Sequence, residues 1–227
     1  SLSSITLPNS VTSIGRSSFS NCISLSTITI PNGVTLIGDF IFSNCRSLKS
    51  IIIQENVASI GDNAFKGCKE LEMITVSSMN PHFKSIEGVL FNKDGSELIC
   101  YPSGKKETTY TVPDYVKSLC DSSFSECHSL SSITLSNSVT SIGKSSFSYC
   151  RSLSSITLSD SIISIGDYTF WCCNSLSSIT LPNSVTSIGD YVFCWCNSLS
   201  SITLSNSVTS IGDSAFLWCN SLLSVTL

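Results

Sequence analysis

Nine leucines fall on a common step of 23 residues: Leu2, Leu25, Leu48 and Leu71, then Leu130, Leu153, Leu176, Leu199 and Leu222. Cys22, Cys45 and Cys68 keep the same step, as do Cys127, Cys150, Cys173, Cys196 and Cys219. A phenylalanine stands three residues before each of these cysteines, from Phe19 to Phe216. A period of this length marks a solenoid, in which every repeat is one structural unit.

The unit that starts at Leu176 shows why. Leu176, Ile179 and Leu181 alternate with small polar residues at their end, which is strand patterning. Pro182-Asn183 closes that strand. Val185 to Ile188 reads as a second, shorter extended piece. Gly189-Asp190 breaks it and is expected to lead into a short helix or 3₁₀ turn through Phe193 and Cys196. Seven apolar positions cannot close a core alone, but stacked copies bury one another's faces. Counting Ile-Thr-Leu strands gives ten rungs, from Ile5-Thr6-Leu7 to Val225-Thr226-Leu227.

The pattern Leu-x-x-Ile-x-Leu-Pro-x-x-Val-x-x-Ile-Gly-x-x-x-Phe-x-x-Cys resembles the BspA-like leucine-rich repeats across essentially the whole chain. The resemblance implies an α/β fold: a curved solenoid with a parallel sheet on its concave face, and helical or 3₁₀ turns and short second strands elsewhere. It also implies inward-pointing repeat cysteines. Members of that family are commonly surface proteins of bacteria and parasitic protists, and several act as adhesins or antigens. The expected organisation is one solenoid domain over 1–227. Because the chain opens mid-repeat at Ser1-Leu2-Ser3-Ser4, it is expected to be a piece of a longer protein.

The register breaks between Cys68 and Cys127. The strand motif is present at Ile74-Thr75-Val76 and returns at Tyr110-Thr111-Val112, so one unit carries an insertion at about 77–109. Two apolar runs, Gly88 to Phe91 and Glu97 to Tyr101, flank Asn92-Lys93-Asp94-Gly95. An Asp-Gly pair between such runs predicts a β-hairpin. The insertion and its flanks collect charge, whereas 130–227 holds only Lys144, Arg151, Asp160, Asp167, Asp190 and Asp213. Such an insertion reads either as a functional element or as a solubilising loop.

The chain has 12 cysteines. The eight on the repeat step are expected to form a reduced ladder, since parallel side chains on successive rungs are poorly placed for bridging. Cys172 and Cys194 lie one position off that ladder on adjacent rungs. A disulfide between them stays open. The quartet Cys172, Cys173, Cys194 and Cys196 looks like a zinc set, yet two of its members belong to the ladder, and no metal site is expected.

Two surfaces are candidates for binding. On the strand face the second half shows rows of hydroxyls: Ser132 and Thr134, Ser155 and Thr157, Ser178 and Thr180, Ser201 and Thr203. These rows form a hydrogen-bonding platform or a generic soluble sheet face. The two positions after the repeat phenylalanine are less uniform. Early units carry Ser20-Asn21, Ser43-Asn44 and Lys66-Gly67, whereas later ones carry Ser148-Tyr149, Trp171-Cys172, Cys194-Trp195 and Leu217-Trp218. Tyr149, Trp171, Trp195, Leu217 and Trp218 therefore line up as an apolar stripe that contains every tryptophan of the chain. Such a stripe suits an interface, unless its rings fold inward between rungs.

Only 12% of residues are charged and the net charge is −4, so nothing draws this chain to nucleic acid or to an anionic membrane. No apolar run is long enough to span a bilayer. Its two histidines, His82 and His128, have no nucleophile or acid arranged around them that the repeat does not already explain. The glycines mark turns rather than a phosphate cradle. The sequence predicts no enzyme and no cofactor. It predicts a recognition module on the cell surface or secreted, with the cytoplasm left open, that binds a host or matrix protein. The alternative is a structural spacer, or an array that self-assembles through open solenoid ends.

Overall fold

Alternation in the Ser-Ile-Thr segments turns one apolar residue inward and two hydroxyls outward, and these segments form strands. The computed structural model describes residues 2–226; Ser1 and Leu227, with which the last expected strand ends, lie outside the described residues. The chain divides into one unit up to Lys105 and another from Lys106. In the first unit the long strands are Ser4–Thr6, Thr27–Thr29, Ser50–Ile53 and Met73–Val76. In the second they are Thr109–Thr111, Ser132–Thr134, Ser155–Thr157, Ser178–Thr180, Ser201–Thr203 and Ser224–Thr226.

Pairing is parallel and joins equivalent positions. Ser132 faces Ser155, Ile133 faces Ile156 and Thr134 faces Thr157, while Ser50 faces Met73 and Ile52 faces Thr75. Short second strands obey the same rule, as where Ser187–Ile188 pairs with Ser210–Ile211. Equivalent side chains therefore stack in columns. In the second unit Phe147 and Phe170 stack at 5.4 Å and Phe170 and Phe193 at 5.5 Å, with ring planes within 7° of parallel. In the repeat-leucine column Leu153 and Leu176 are fully buried as well. Each such side chain contributes about 1.5–3 kcal/mol of burial free energy, but only because the adjacent coil covers it.

The glycine of Ile-Gly-Asp has a specific steric role. A Cβ on Gly189 would lie 2.5 Å from Asp167 Oδ1, and one on Gly212 2.4 Å from Asp190 Oδ1. That space lets each aspartate reach the following coil. Asp167 Oδ1 accepts the N–H of Asp190 at 3.1 Å, and Asp190 Oδ1 accepts that of Asp213 at 2.7 Å.

The expected helix or 3₁₀ turn before the repeat cysteine does not form. Among the described residues there is no helix, so this is an all-β solenoid rather than an α/β one. The reason lies in where the backbone N–H groups point. Tyr168, Phe170 and Cys172 each donate to the next coil, to the carbonyls of Asp190, Val192 and Cys194, all at 2.9 Å. The intervening Trp171 and Cys173 donate back three residues, each at 3.1 Å. A helix would direct all of these bonds inward. Left-handed residues on both sides of the phenylalanine produce the alternation, here Tyr168 at φ 58° and Cys172 at φ 59°.

The insertion belongs to the first unit and is larger than the expected hairpin. Val89–Asn92 pairs antiparallel with Glu97–Cys100 as expected, and also with a further strand, Phe83–Ile86. Glu87 and Gly88 link these two at φ 51° and 81°, the two-residue turn that suits twisted hairpins. The three-stranded meander docks on the fourth coil: Ile74 N–H donates to Gly88 O and Val76 N–H to Ser85 Oγ, both at 3.0 Å. Asn80 is fully buried beneath it.

Candidate interaction surfaces

The strand face is as polar as its sequence. Thr134, Ser155, Thr157, Ser178, Thr180 and Thr203 are exposed, while Ser132 and Ser201 are half-buried. Several hydroxyls bond along the stack. Ser155 Oγ donates to Ser132 Oγ at 3.1 Å, and the adjacent Ser154 and Ser200 donate to the carbonyls of Ser131 and Ser177 at 3.1 Å. Where their protons lie along the stack, oxygen lone pairs are what they offer outward.

The first unit has a row of its own, and it is broken. Ile52 stands where other coils carry threonine, and Met73 where they carry serine or threonine; they are 52% and 50% exposed. The register places them diagonally on adjacent strands of one face. Met73 escaped the sequence reading, although its departure from the serine-threonine column was the available signal.

The stripe on the turns divides into two groups. Trp195, Leu217 and Trp218 are exposed, and Tyr149 and Trp171 are half-buried. Trp195 and Trp218 stack at 5.3 Å, and Tyr149 lies 4.8 Å from Trp171 at a tilt of 58°. Burial raises the pKa of the Cys194 thiol, and the Trp171 indole works against it. Arg151 sits 5.7 Å over the Tyr149 ring. Burial, then the neighbouring Cys172 and Glu126, raise the Tyr149 phenol above its usual range, and Arg151 works against them.

Two members of this face were missed. Tyr168 and Tyr191 stack at 5.1 Å with planes 2° apart, and Tyr168 meets Trp171 edge-on at 5.7 Å. They share a column two residues before the repeat phenylalanine, which the same 23-residue step would have exposed. Tyr149, Tyr168, Tyr191, Trp195 and Trp218 all have φ between 55° and 64°. This conformation costs a bulky L-residue roughly 1–2 kcal/mol. In the first unit the column of Tyr149, Trp195 and Trp218 carries Asn21, Asn44 and Gly67, residue types that adopt it more readily, and the column of Tyr168 and Tyr191 carries Ser17, Phe40 and Asn63.

The repeat cysteines point inward and donate to carbonyls one coil back. Cys173 Sγ bonds Phe147 O and Cys196 Sγ bonds Phe170 O, each at 3.1 Å. Burial, first of several causes, pushes the Cys45 thiol up to about 11 and raises those of Cys173 and Cys196 well above the ordinary value. Cys172 and Cys194 are both thiols, with no disulfide between them. Among the described residues no group of three or more His, Cys, Asp or Glu is placed to hold a metal ion, and no helix is long and apolar enough to cross a membrane.

Residues 1–108 and 100–223 match the BspA type leucine-rich repeat region, in six copies. The chain belongs to the BspA-type leucine-rich-repeat family. No curated protein matches it. Among solved structures, a leucine-rich cell surface protein from Faecalibacterium prausnitzii A2-165 is 28% identical, with a TM-score of 0.78 over 99% of this chain and 79% of that one. The pneumococcal vaccine antigen PcpA is 25% identical, with a TM-score of 0.80 over 98% of this chain and 67% of its own. A leucine-rich repeat protein from Eubacterium ventriosum shares the fold at 21% identity and a TM-score of 0.63, over 98% and 84% of the two chains. Within this BspA-type chain, the stacked columns and the Gly-Asp ladder account for the repeated residues. The apolar break on the strand face and the aromatic turns are departures that the repeat does not require.

Proposed function

We propose that this BspA-type protein is a cell-surface recognition module whose strand face binds a host or matrix protein. One observation carries the reading: Ile52 and Met73 interrupt a row of hydroxyls and leave about half of each apolar side chain in water. Repeat duplication would have placed threonine and serine there. Exposed apolar groups within a polar rim are the arrangement of a protein-binding hot spot. Within the same unit the exposed hydroxyls of Thr27, Thr29, Ser50 and Thr75 supply the polar rim. Similarity to a leucine-rich cell surface protein and to a vaccine antigen supports the surface location.

The test uses variants that restore the repeat. Ile52→Thr with Met73→Ser should fold as the parent does and should lower affinity for an immobilised panel of matrix proteins by at least about tenfold. Binding that is unchanged by both substitutions, or absent from the parent across the panel, would end this reading.

A further inference from the structure

We propose that Cys172 and Cys194 are a modification site, a dithiol that a small disulfide oxidises to a bridge between two adjacent coils. The site uses neither Ile52 nor Met73 and stands independently of the recognition reading. Backbone geometry brings the pair together. Cys172 N–H donates to Cys194 O at 2.9 Å. That bond holds the two Cα atoms about 5–6 Å apart, inside the range of about 4.4–6.8 Å that a disulfide spans. The preceding coil shows where side chains on this diagonal go. Tyr149 and Trp171 occupy the same two positions one repeat earlier. Tyr149 N–H donates to Trp171 O at 2.7 Å, and the two rings meet at 4.8 Å. The second residue after one repeat phenylalanine therefore faces the first residue after the next. Cysteine stands at both ends of that diagonal in the coils of Phe170 and Phe193.

The repeat cysteines are arranged for the opposite outcome. Cys173 and Cys196 share one inward column, and each thiol is committed to a carbonyl one coil back. Neither Cys172 nor Cys194 belongs to that column. Cys172 is half-buried and open to a small reagent, while Cys194 is buried. Burial, and then Cys194, raise the Cys172 thiol, and Arg151 works against them. Cys172 is thus the entry point and Cys194 the resolving thiol. The Cys172 thiolate attacks one sulfur of a low-molecular-weight disulfide such as oxidised glutathione and expels a thiolate. Cys194, deprotonated by solvent, then attacks the Cys172 sulfur. The bond between the two residues forms, the mixed disulfide breaks, and the second small thiolate leaves. Two protein thiols are oxidised, one small disulfide is reduced to two thiols, and the two protein protons end on those thiols. The bridge closes a loop over residues 172–194 and ties neighbouring coils together covalently.

Incubating the whole chain with excess oxidised glutathione at about pH 8.5, without denaturant, tests the site, since the thiolate is the attacking species. Peptide mapping of the wild type by mass spectrometry should show Cys172 joined to Cys194, with glutathione retained on neither. Cys194→Ser removes the resolving thiol and should stop the reaction at one glutathione held on Cys172. Cys172→Ser should leave the buried Cys194 unmodified. Because the decisive readout is made on the wild type, a variant that folds poorly does not obscure it. A wild type that keeps both thiols free overturns the proposal. So does one that retains glutathione on Cys172, or that links either residue to a different cysteine. An absent adduct on Cys172 in folded Cys194→Ser overturns the order of attack, and the proposal with it.

Discussion

Asp167 joins two coils through two different bonds. One carboxylate oxygen accepts the Asp190 N–H at 3.1 Å, and the other meets the Lys144 ammonium at 2.8 Å. The Lys144 hydrogen bond first, and then the Asp190 N–H, lower its pKa below the ordinary 3.8. A carboxylate held below its unfolded value stabilises the fold at any pH above that value, and the contribution disappears as pH falls through the folded value. Lowering the pH from about 5 to about 2.5 should therefore reduce the urea midpoint of the wild type more than that of Asp167→Asn. Identical acid sensitivity in the two proteins would contradict this role. Lys144 is largely exposed, so most of the effect rests on the N–H bond, which solvent screens less. At this scale the sequence showed that Gly-Asp ends the second strand. It did not show the ladder, because the acceptor and its donor are 23 residues apart and their meeting depends on how closely coils approach. The inward cysteines were legible through the family resemblance, which implies that direction for the repeat position.

Elements were legible to the extent that their period was. Period-two alternation located the long strands, and Asp94-Gly95 located one hairpin turn. The segment before each repeat cysteine was expected to be helical because a Gly-Asp cap leads into apolar residues at helical spacing. The structure instead sends alternate N–H groups to the next coil, a choice made by neighbours that a single unit does not contain. The added strand Phe83–Ile86 was missed because its Glu87-Gly88 turn is a weaker signal than Asp-Gly. What fixes the insertion is Asn80. Its Nδ2 donates to the carbonyls of Gln54 at 2.7 Å and Val57 at 2.9 Å. Its Oδ1 accepts the N–H groups of His82 and Phe83, both at 2.8 Å, and Lys93 Nζ donates to its carbonyl. Asn80→Ala leaves four backbone groups without their partner, two of the bonds being buried, which should destabilise the insertion by about 2–4 kcal/mol. Hydrogen exchange would report it: amides of Phe83–Ile86 and Val89–Asn92 should lose protection while Val34 and Ile37 keep theirs. Retained protection in the meander would show that apolar packing alone holds it.

Across a whole unit, stability follows from the stack. Every coil of the second unit borrows its core from the coils on either side, so energetic coupling should be short in range along the stacking direction. The phenylalanine column offers a direct measurement. Phe147 and Phe170 touch at 5.4 Å, whereas Phe124 and Phe193 are separated by those two rings, each stacked on the next. Truncating any one of the four to alanine should cost about 3–5 kcal/mol, a large part of the stability of a domain of this size. The informative quantity is the departure from additivity. A double-mutant cycle on Phe147→Ala and Phe170→Ala should give a coupling of about 0.5–1.5 kcal/mol, because each single variant already removes the shared contact. The cycle on Phe124→Ala and Phe193→Ala should be additive to within about 0.5 kcal/mol. Urea denaturation of the six variants measures both, and Leu→Met substitutions at Leu153 and Leu176 provide a milder series if the alanine variants unfold at rest. Equal coupling in the near and far pairs would mean that the second unit responds as one undivided core rather than as coils in series. Coupling confined to the near pair would explain how the tryptophans at one end can vary while the columns beneath them stay in register.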